Sequence, residues 1–287
     1  MSIVVTGATG QLGQHVIEAL LERNVPAAEI VAAGRATEKL AAFAARGVQV
    51  RSMDYSDAGS VAGALRGATR VLLISGSEVG RRVEQHRTVI EAAKAEGVQL
   101  LAYTSIANAE TTGMKLAGEH QATEAMLRES GLPFTLLRNG WYLENYTDQL
   151  AGAVAQGALA GSAGDGKVSA ASRADYAQAA AAVLTAEGQA GKVYELGGDE
   201  PFTMAELAAE ISAATGQDIT YTNLPAGDYA GLLSGAGVPE AFAAILADSD
   251  LGIARGDLVV SSGDLRRLIG RPTTSLTDAI RSAAASA

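Results

Sequence analysis

Short runs of apolar residues alternate, along the first half of the chain, with longer stretches where apolar positions recur at helical spacing. Ile3-Val4-Val5 is uniformly apolar and ends at a glycine, the pattern of a strand buried on both faces. From Gln11 to Arg23, residues Leu12, Val16, Ile17, Leu20 and Leu21 share one helical face, and Asn24 and Pro26 stop the helix. The same rhythm predicts strands at Glu29 to Ala33, Val48 to Val50, Val71 to Ile74, Leu100 to Thr104 and Phe134 to Leu137. Between them it predicts helices at Lys39 to Arg46, Ser60 to Leu65, Glu84 to Ala95 and Leu116 to Glu129. Strand and helix in strict alternation predict an α/β fold built on a doubly wound parallel sheet. Right-handed crossovers then bring the loops that follow the strands to one edge, where ligands bind.

After Arg138 the rhythm changes. Residues 151–175 are rich in Gly, Ala and Ser, with Gly161 to Gly166 marking a loop. Lys192 to Leu196 reads as a strand able to rejoin the sheet. Thr203-Met204-Ala205-Glu206 has capping-box form before a helix to about Ala214. Ile219 to Tyr221 reads as a strand, and the remainder is mostly helical. The expected division is a dinucleotide-binding domain at residues 1–150 and a smaller, mostly helical lobe at 151–287 covering the ligand edge. A segment near 168–198 is expected to return to the sheet of the first domain.

The candidate chemistry starts at Gly7-Ala8-Thr9-Gly10-Gln11-Leu12-Gly13, between the first strand and the first helix. There the first glycine permits a tight turn and the second lets backbone N–H groups approach a pyrophosphate. The third allows close helix–strand packing. That context makes the sheet Rossmann-type and the ligand a nicotinamide dinucleotide. At the end of the second strand, where an NAD enzyme carries a carboxylate, this chain has Gly34-Arg35, with Lys39 a turn later. A guanidinium suits a 2′-phosphate, so the expected cofactor is NADP(H). Asp54, after the third strand, is placed either at the adenine edge or in a turn.

Composition narrows the rest. The 287 residues carry 22 Lys+Arg against 32 Asp+Glu, a net charge of −10 that opposes general binding to nucleic acid or anionic membrane. The absence of cysteine excludes thiolate metal sites, disulfides and cysteine nucleophiles, and no metal is expected. No apolar run approaches the roughly 20 residues of a membrane span, and the N-terminus lacks a signal-peptide pattern, so a cytoplasmic setting is expected.

Short glycine-turn reductases usually hold a Tyr-x-x-x-Lys pair as acid/base. None of the eight tyrosines here (55, 103, 142, 146, 176, 194, 221 and 229) has lysine four residues on, and Leu116 and His120 stand at the matching spacing. The pair for alcohol–ketone exchange is therefore missing. His120 either takes the lysine's place or is a polar residue on the helix surface. The block Thr6 to Gly13 resembles the NmrA-like atypical short-chain dehydrogenase/reductases. Ser75-Gly76-Ser77-Glu78-Val79-Gly80, Ala102 to Ser105, Leu137 to Tyr146 and Leu268 to Thr274 resemble one branch, the bacterial NAD(P)H:quinone oxidoreductase 2 group.

The resemblance implies a flavin-free reductase passing hydride from NADPH to a quinone. It implies that Gly7, Ala8, Thr9, Gly10, Gln11 and Leu12 hold the pyrophosphate and Arg35 the 2′-phosphate. Ser75, Gly76 and Ser77 would line the ribose and nicotinamide side, with Thr104 and Ser105 close to the nicotinamide. Asn139, Gly140, Trp141, Tyr142, Leu143 and Glu144 would border the nicotinamide end. Trp141, Tyr142 and Asn145 are the acceptor-pocket candidates, and Lys167 is read as either cofactor-reaching or solvated. Two other readings stay open: a dinucleotide-sensing regulator that binds a partner protein, and a reductase of dyes or other planar electrophiles. A homodimer is also left open.

Overall fold

The computed structural model describes residues 1–286. β1 (Ile3–Val5) lies at the middle of the sheet, fully buried, with Val4 in register between Val31 on one side and Val71 on the other. The chain passes through α1 (Gln11–Glu22) to β2 (Ile30–Gly34), then through a single 3-10 turn and α2 (Ala41–Ala45) to β3 (Gln49–Ser52). It next crosses back, through α3 (Ala58–Leu65), to β4 (Arg70–Leu73) on the other side of β1. From there it continues outward by α4 (Arg82–Glu96), β5 (Leu100–Ile106), α5 (Ala117–Ser130) and β6 (Phe134–Asn139). The reversal between β1 and β4 opens a crevice beyond their carboxyl ends, the place where such sheets bind ligands.

The second half contributes α6 (Glu144–Thr147), α7 (Leu150–Gln156), β7 (Ala158–Gly161), β8 (Lys167–Val168), α8 (Arg173–Thr185) and β9 (Val193–Leu196). β9 pairs in parallel with β6 and completes a seven-stranded parallel sheet in the order β3-β2-β1-β4-β5-β6-β9. After it come β10 (Phe202–Thr203), α9 (Met204–Thr215), β11 (Thr220–Asn223), α10 (Ala226–Gly235), α11 (Glu240–Arg255), α12 (Asp264–Ile269) and α13 (Leu276–Ser286). Two small sheets, β10 with β8 and β11 with β7, brace this region. The capping box forms as its sequence predicts: Thr203 Oγ1 accepts from Glu206 N–H at 3.1 Å and Glu206 returns the bond at 2.7 Å.

Three apolar cores result. One joins the sheet to α1 and α8. A second joins its opposite face to α3, α4 and α5. The third knits Ile106 to Met114 with α9, α11 and α13. The structure departs from the sequence reading in three places. The helix expected at Lys39 to Arg46 shrinks to α2, because its first turn is 3-10. The stretch 151–175 holds α7, β7 and β8 around its loop. α8 has no counterpart in the sequence reading at all.

Candidate functional site

Gly7 opens the turn at φ +60°, and a Cβ there would meet the Ile74 side chain at 3.3 Å. At Gly13 a Cβ would lie 2.5 Å from the Gly7 carbonyl and 2.6 Å from Ala8 Cα, so only glycine lets the helix sit this close to the strand. The first α1 bond runs from Gln14 N–H to Gly10 O at 3.1 Å, and no side chain caps the helix. The N–H groups of Gln11, Leu12 and Gly13 precede it and have no helical partner, the arrangement that receives a phosphate. Ala8 and Leu12 put their side chains into the core, so any contact they make with a ligand is through the backbone.

This turn is one wall of a cleft of about 270 Å³. Gly7, Thr9 and Gly10 line it from β1, Gly34 and Arg35 from β2, and Ser75, Gly76, Ser77 and Glu78 from the loop after β4. Met53, Asp54 and Tyr55 close the far wall. Asp54 also holds a turn, accepting from Ser56 N–H at 2.9 Å, as one of its two sequence readings expects. Arg35 is well exposed, and its Nη1 lies 2.9 Å from Glu78 Oε1. Lys39 is exposed on the 3-10 turn and does not line the cleft.

The loop after β4 is fixed from below. Ser75 N–H donates to Thr104 Oγ1 at 2.9 Å, and Gly76 N–H to His86 Nε2 at 3.0 Å. The Gly76 carbonyl accepts from Arg82 Nε. With Nε2 accepting, the His86 proton sits on Nδ1 and points to Thr123 Oγ1 at 2.9 Å, while Thr123 donates to the Glu119 carbonyl. Burial, with Arg82 adding to it, lowers the His86 pKa to about 4. Tyr55 donates to the Ile74 carbonyl at 2.8 Å and rests against the Thr6 hydroxyl, and burial pushes its phenol up.

His120 is only 5% exposed, which corrects the surface reading. Its Nδ1 meets Tyr103 OH at 2.8 Å, and burial, then Arg82 and His86, lowers its pKa to about 3. The ring is therefore neutral and offers a hydrogen bond without a lysine's charge. Ser105 gives its hydroxyl to buried Glu124 Oε1 at 2.6 Å, and Arg138 meets Glu124 there as well as half-buried Glu195 and exposed Glu110.

The block from Asn139 onward lies outside the cleft lining. Gly140 N–H donates to the Leu196 carbonyl at 2.7 Å, at the end of β9. Leu143 N–H reaches the Ala171 carbonyl at 3.0 Å, and Ala171 N–H the Trp141 carbonyl at 3.0 Å. Glu144 accepts from the first N–H of α8, at Arg173, at 2.8 and 3.1 Å. Tyr142 stands edge-on to Tyr176 and carries the Arg173 guanidinium 5.1 Å from its ring centroid. Asn139 Oδ1 is buried with no partner among the described residues. Trp141 is half-buried against the third core. Asn145 is half-buried, its carbonyl taken by Gln149. Lys167 lies on β8 opposite Thr203, away from the cleft; the Glu206 pKa is lowered chiefly by the bonds it makes with Thr203, and Lys167 adds least.

Met53, Tyr55, Ile74, Glu78 and Gln85 all line the cleft without a role in the sequence reading. Only Glu78 carried a signal, inside the block Ser75 to Gly80.

Residues 1–250 match the NmrA-like family. The chain belongs to that family. It is 50% identical to quinone oxidoreductase 2 of Escherichia coli over 278 residues, covering 97% of each chain. The crystal structure of the NADPH-dependent quinone oxidoreductase of Escherichia coli with NADPH superposes at TM-score 0.94, covering 97% of this NmrA-like chain and 98% of that one. The Citrobacter triphenylmethane reductase with NADP(H) superposes at 0.93, with 39% identity over 98% and 100% of the two chains.

Proposed function

We propose that this chain is a flavin-free, NADPH-dependent quinone reductase. The observation that carries the reading is the 50% identity to a quinone oxidoreductase along 97% of both chains, glycine turn and C-terminal lobe together. The residues fit the cofactor: three first-turn N–H groups stand ready for a pyrophosphate, and Arg35 stands at the cleft rim for a 2′-phosphate. Bound there, the nicotinamide supplies the hydride.

The chain's own part is binding and orientation. Gly7 to Leu12 hold the pyrophosphate through backbone groups, and Ser75 to Ser77, fixed by Thr104, His86 and Arg82, hold the ribose side. Thr104 and Ser105 would lie near the nicotinamide end, and Asn139 would offer it an unpartnered acceptor. Gly140 to Glu144 shape its border, while Trp141, Tyr142 and Asn145 give the acceptor a flat apolar surface with one polar contact. Reduction of a quinone yields a resonance-stabilised, weakly basic oxyanion. It depends on proximity more than on a strong general acid, which suits a chain without the Tyr–Lys pair.

In this reading the cofactor part ends near residue 150 and the remainder covers the acceptor. An NADPH-driven reaction belongs where NADPH is regenerated, so the reading carries a cytoplasmic setting. A homodimer is compatible with it. Steady-state assays of NADPH oxidation with several benzoquinones, using NADH as control and flavin-free protein, test the proposal. Turnover with quinone is expected, faster with NADPH. Tight NADPH binding without turnover of any quinone would favour the sensor instead.

A further inference from the structure

The proposal concerns Glu78 and rests on the reading of Arg35 as the 2′-phosphate site. Glu78 Oε1 lies 2.9 Å from Arg35 Nη1. Its other oxygen, Oε2, accepts from Arg81 Nη1 at 2.9 Å and from Gln85 Nε2 at 3.2 Å. Arg81 and Gln85 are tethered in turn, both reaching Ser56 Oγ, at 3.2 and 3.1 Å. The carboxylate therefore has two attachments to its own loop and helix that do not depend on Arg35. It stays at the cleft wall whether or not Arg35 holds it.

A 2′-phosphate arriving at Arg35 meets a guanidinium already engaged by an anion. It must share or take that cation while a fixed negative charge remains beside it. A cofactor with a plain 2′-hydroxyl faces neither cost. We infer that Glu78 is a specificity-determining residue: by competing with the 2′-phosphate for Arg35 it reduces the preference for NADPH over NADH. Arg35 favours the phosphate, and Glu78 limits by how much.

The decisive experiment uses half-cofactors, which read binding without turnover. Adenosine 2′,5′-bisphosphate and 5′-AMP are titrated against the wild type and E78Q, with thermal melts of both proteins. Glutamine keeps the shape and removes the charge; its single acceptor oxygen can hold Arg81 and Gln85, while the amide nitrogen turned to Arg35 cannot accept and leaves that guanidinium free. E78Q should bind the bisphosphate about fivefold more tightly, the range of an exposed ion pair, and 5′-AMP within about twofold of the wild type. The KM for NADPH should fall in parallel, so that the ratio of the NADH KM to the NADPH KM rises. Bisphosphate binding that is unchanged or weaker in a folded E78Q overturns the inference. If the wild type binds the bisphosphate no better than 5′-AMP, the Arg35 reading itself fails. The two failures are thus told apart. If E78Q melts early, E78D, which shortens the reach to Arg35, replaces it and must shift the bisphosphate in the same direction.

Discussion

Two arginine–glutamate pairs of similar length sit in opposite surroundings. Arg35 and Glu78 meet at 2.9 Å on the cleft rim, the arginine side chain 63% exposed. Arg138 and Glu124 meet at 2.6 Å between β6 and α5, with side-chain exposures of 6% and 1%. At the rim, water and salt screen the attraction, and the pair contributes little to folding. That weakness is useful: a guanidinium lightly held is one a phosphate can take. In the interior, burial works against the charge on Arg138, but its bonds to Glu124, Glu110 and Glu195 outweigh this and raise its pKa. Glu124 is pressed the other way by burial and is held ionised by Arg138, Ser105 and Arg128. The same chemistry leaves a loosely held contact in one place and a single fixed geometry in the other.

The largest effect that tests this contrast is on stability. Arg138→Ala leaves Glu124 buried without its main partner and should cost about 3–5 kcal/mol, read as a lower urea midpoint. A loss under about 1 kcal/mol would mean that the interior pair behaves like a surface one. Next is Arg35→Ala, which should leave the melting temperature unchanged and raise the KM for NADPH by about 10- to 100-fold, the loss of a charge-assisted contact. NADH should barely notice. Equal losses for the two cofactors would remove the 2′-phosphate assignment.

The smallest effect sharpens the contrast with groups buried without an opposite charge. His86 and His120 have folded pKa values lowered to about 4 and 3, so the unfolded chain binds more protons below the ordinary histidine value. Their contribution is therefore present above about pH 6.5 and lost as the pH falls toward 4. Asp250, raised by burial to about 6, has the opposite sign and loses its contribution as the pH rises from about 4 to 6. Stability from urea melts should thus climb between pH 5 and 6. H86Q should flatten that slope by about 1 kcal/mol per pH unit and D250N should steepen it by a similar amount. A slope unaltered in H86Q would mean that its ring is not held neutral by the fold.

What was legible in the sequence follows the same division between local and distant causes. Ile3 to Val5 and Val71 to Ile74 announce themselves because strands buried on both faces read as continuous apolar runs. The glycine turn and the Thr203–Glu206 capping box are local spacings, and both stand where the sequence puts them. α8 was invisible for a physical reason: Ala177 and Ala179 to Leu184 are buried almost all round, so no polar face sets a period. Tyr55 and Glu78 enter the cleft only through sheet order. Glu78 lies 43 residues from Arg35 and reaches it because β4 folds back beside β1. No spacing rule relates them. His86 was hidden likewise, since one ring nitrogen takes the Gly76 backbone N–H, which no side chain marks, and the other meets Thr123, 37 residues away.

The return of β9 to the sheet has a consequence for the order in which this molecule can be made. During synthesis β1 to β6 have all emerged once Asn139 is made, yet β6 still has an open edge and α1 lacks the helix that packs on it. Both wait for residues up to Leu196. Until then a hydrophobic edge strand is free to pair with a neighbouring nascent chain. The seven-stranded sheet is thus finished by residues far along the chain, and synthesis arrested near residue 150 would leave a template for aggregation in place of a smaller folded protein.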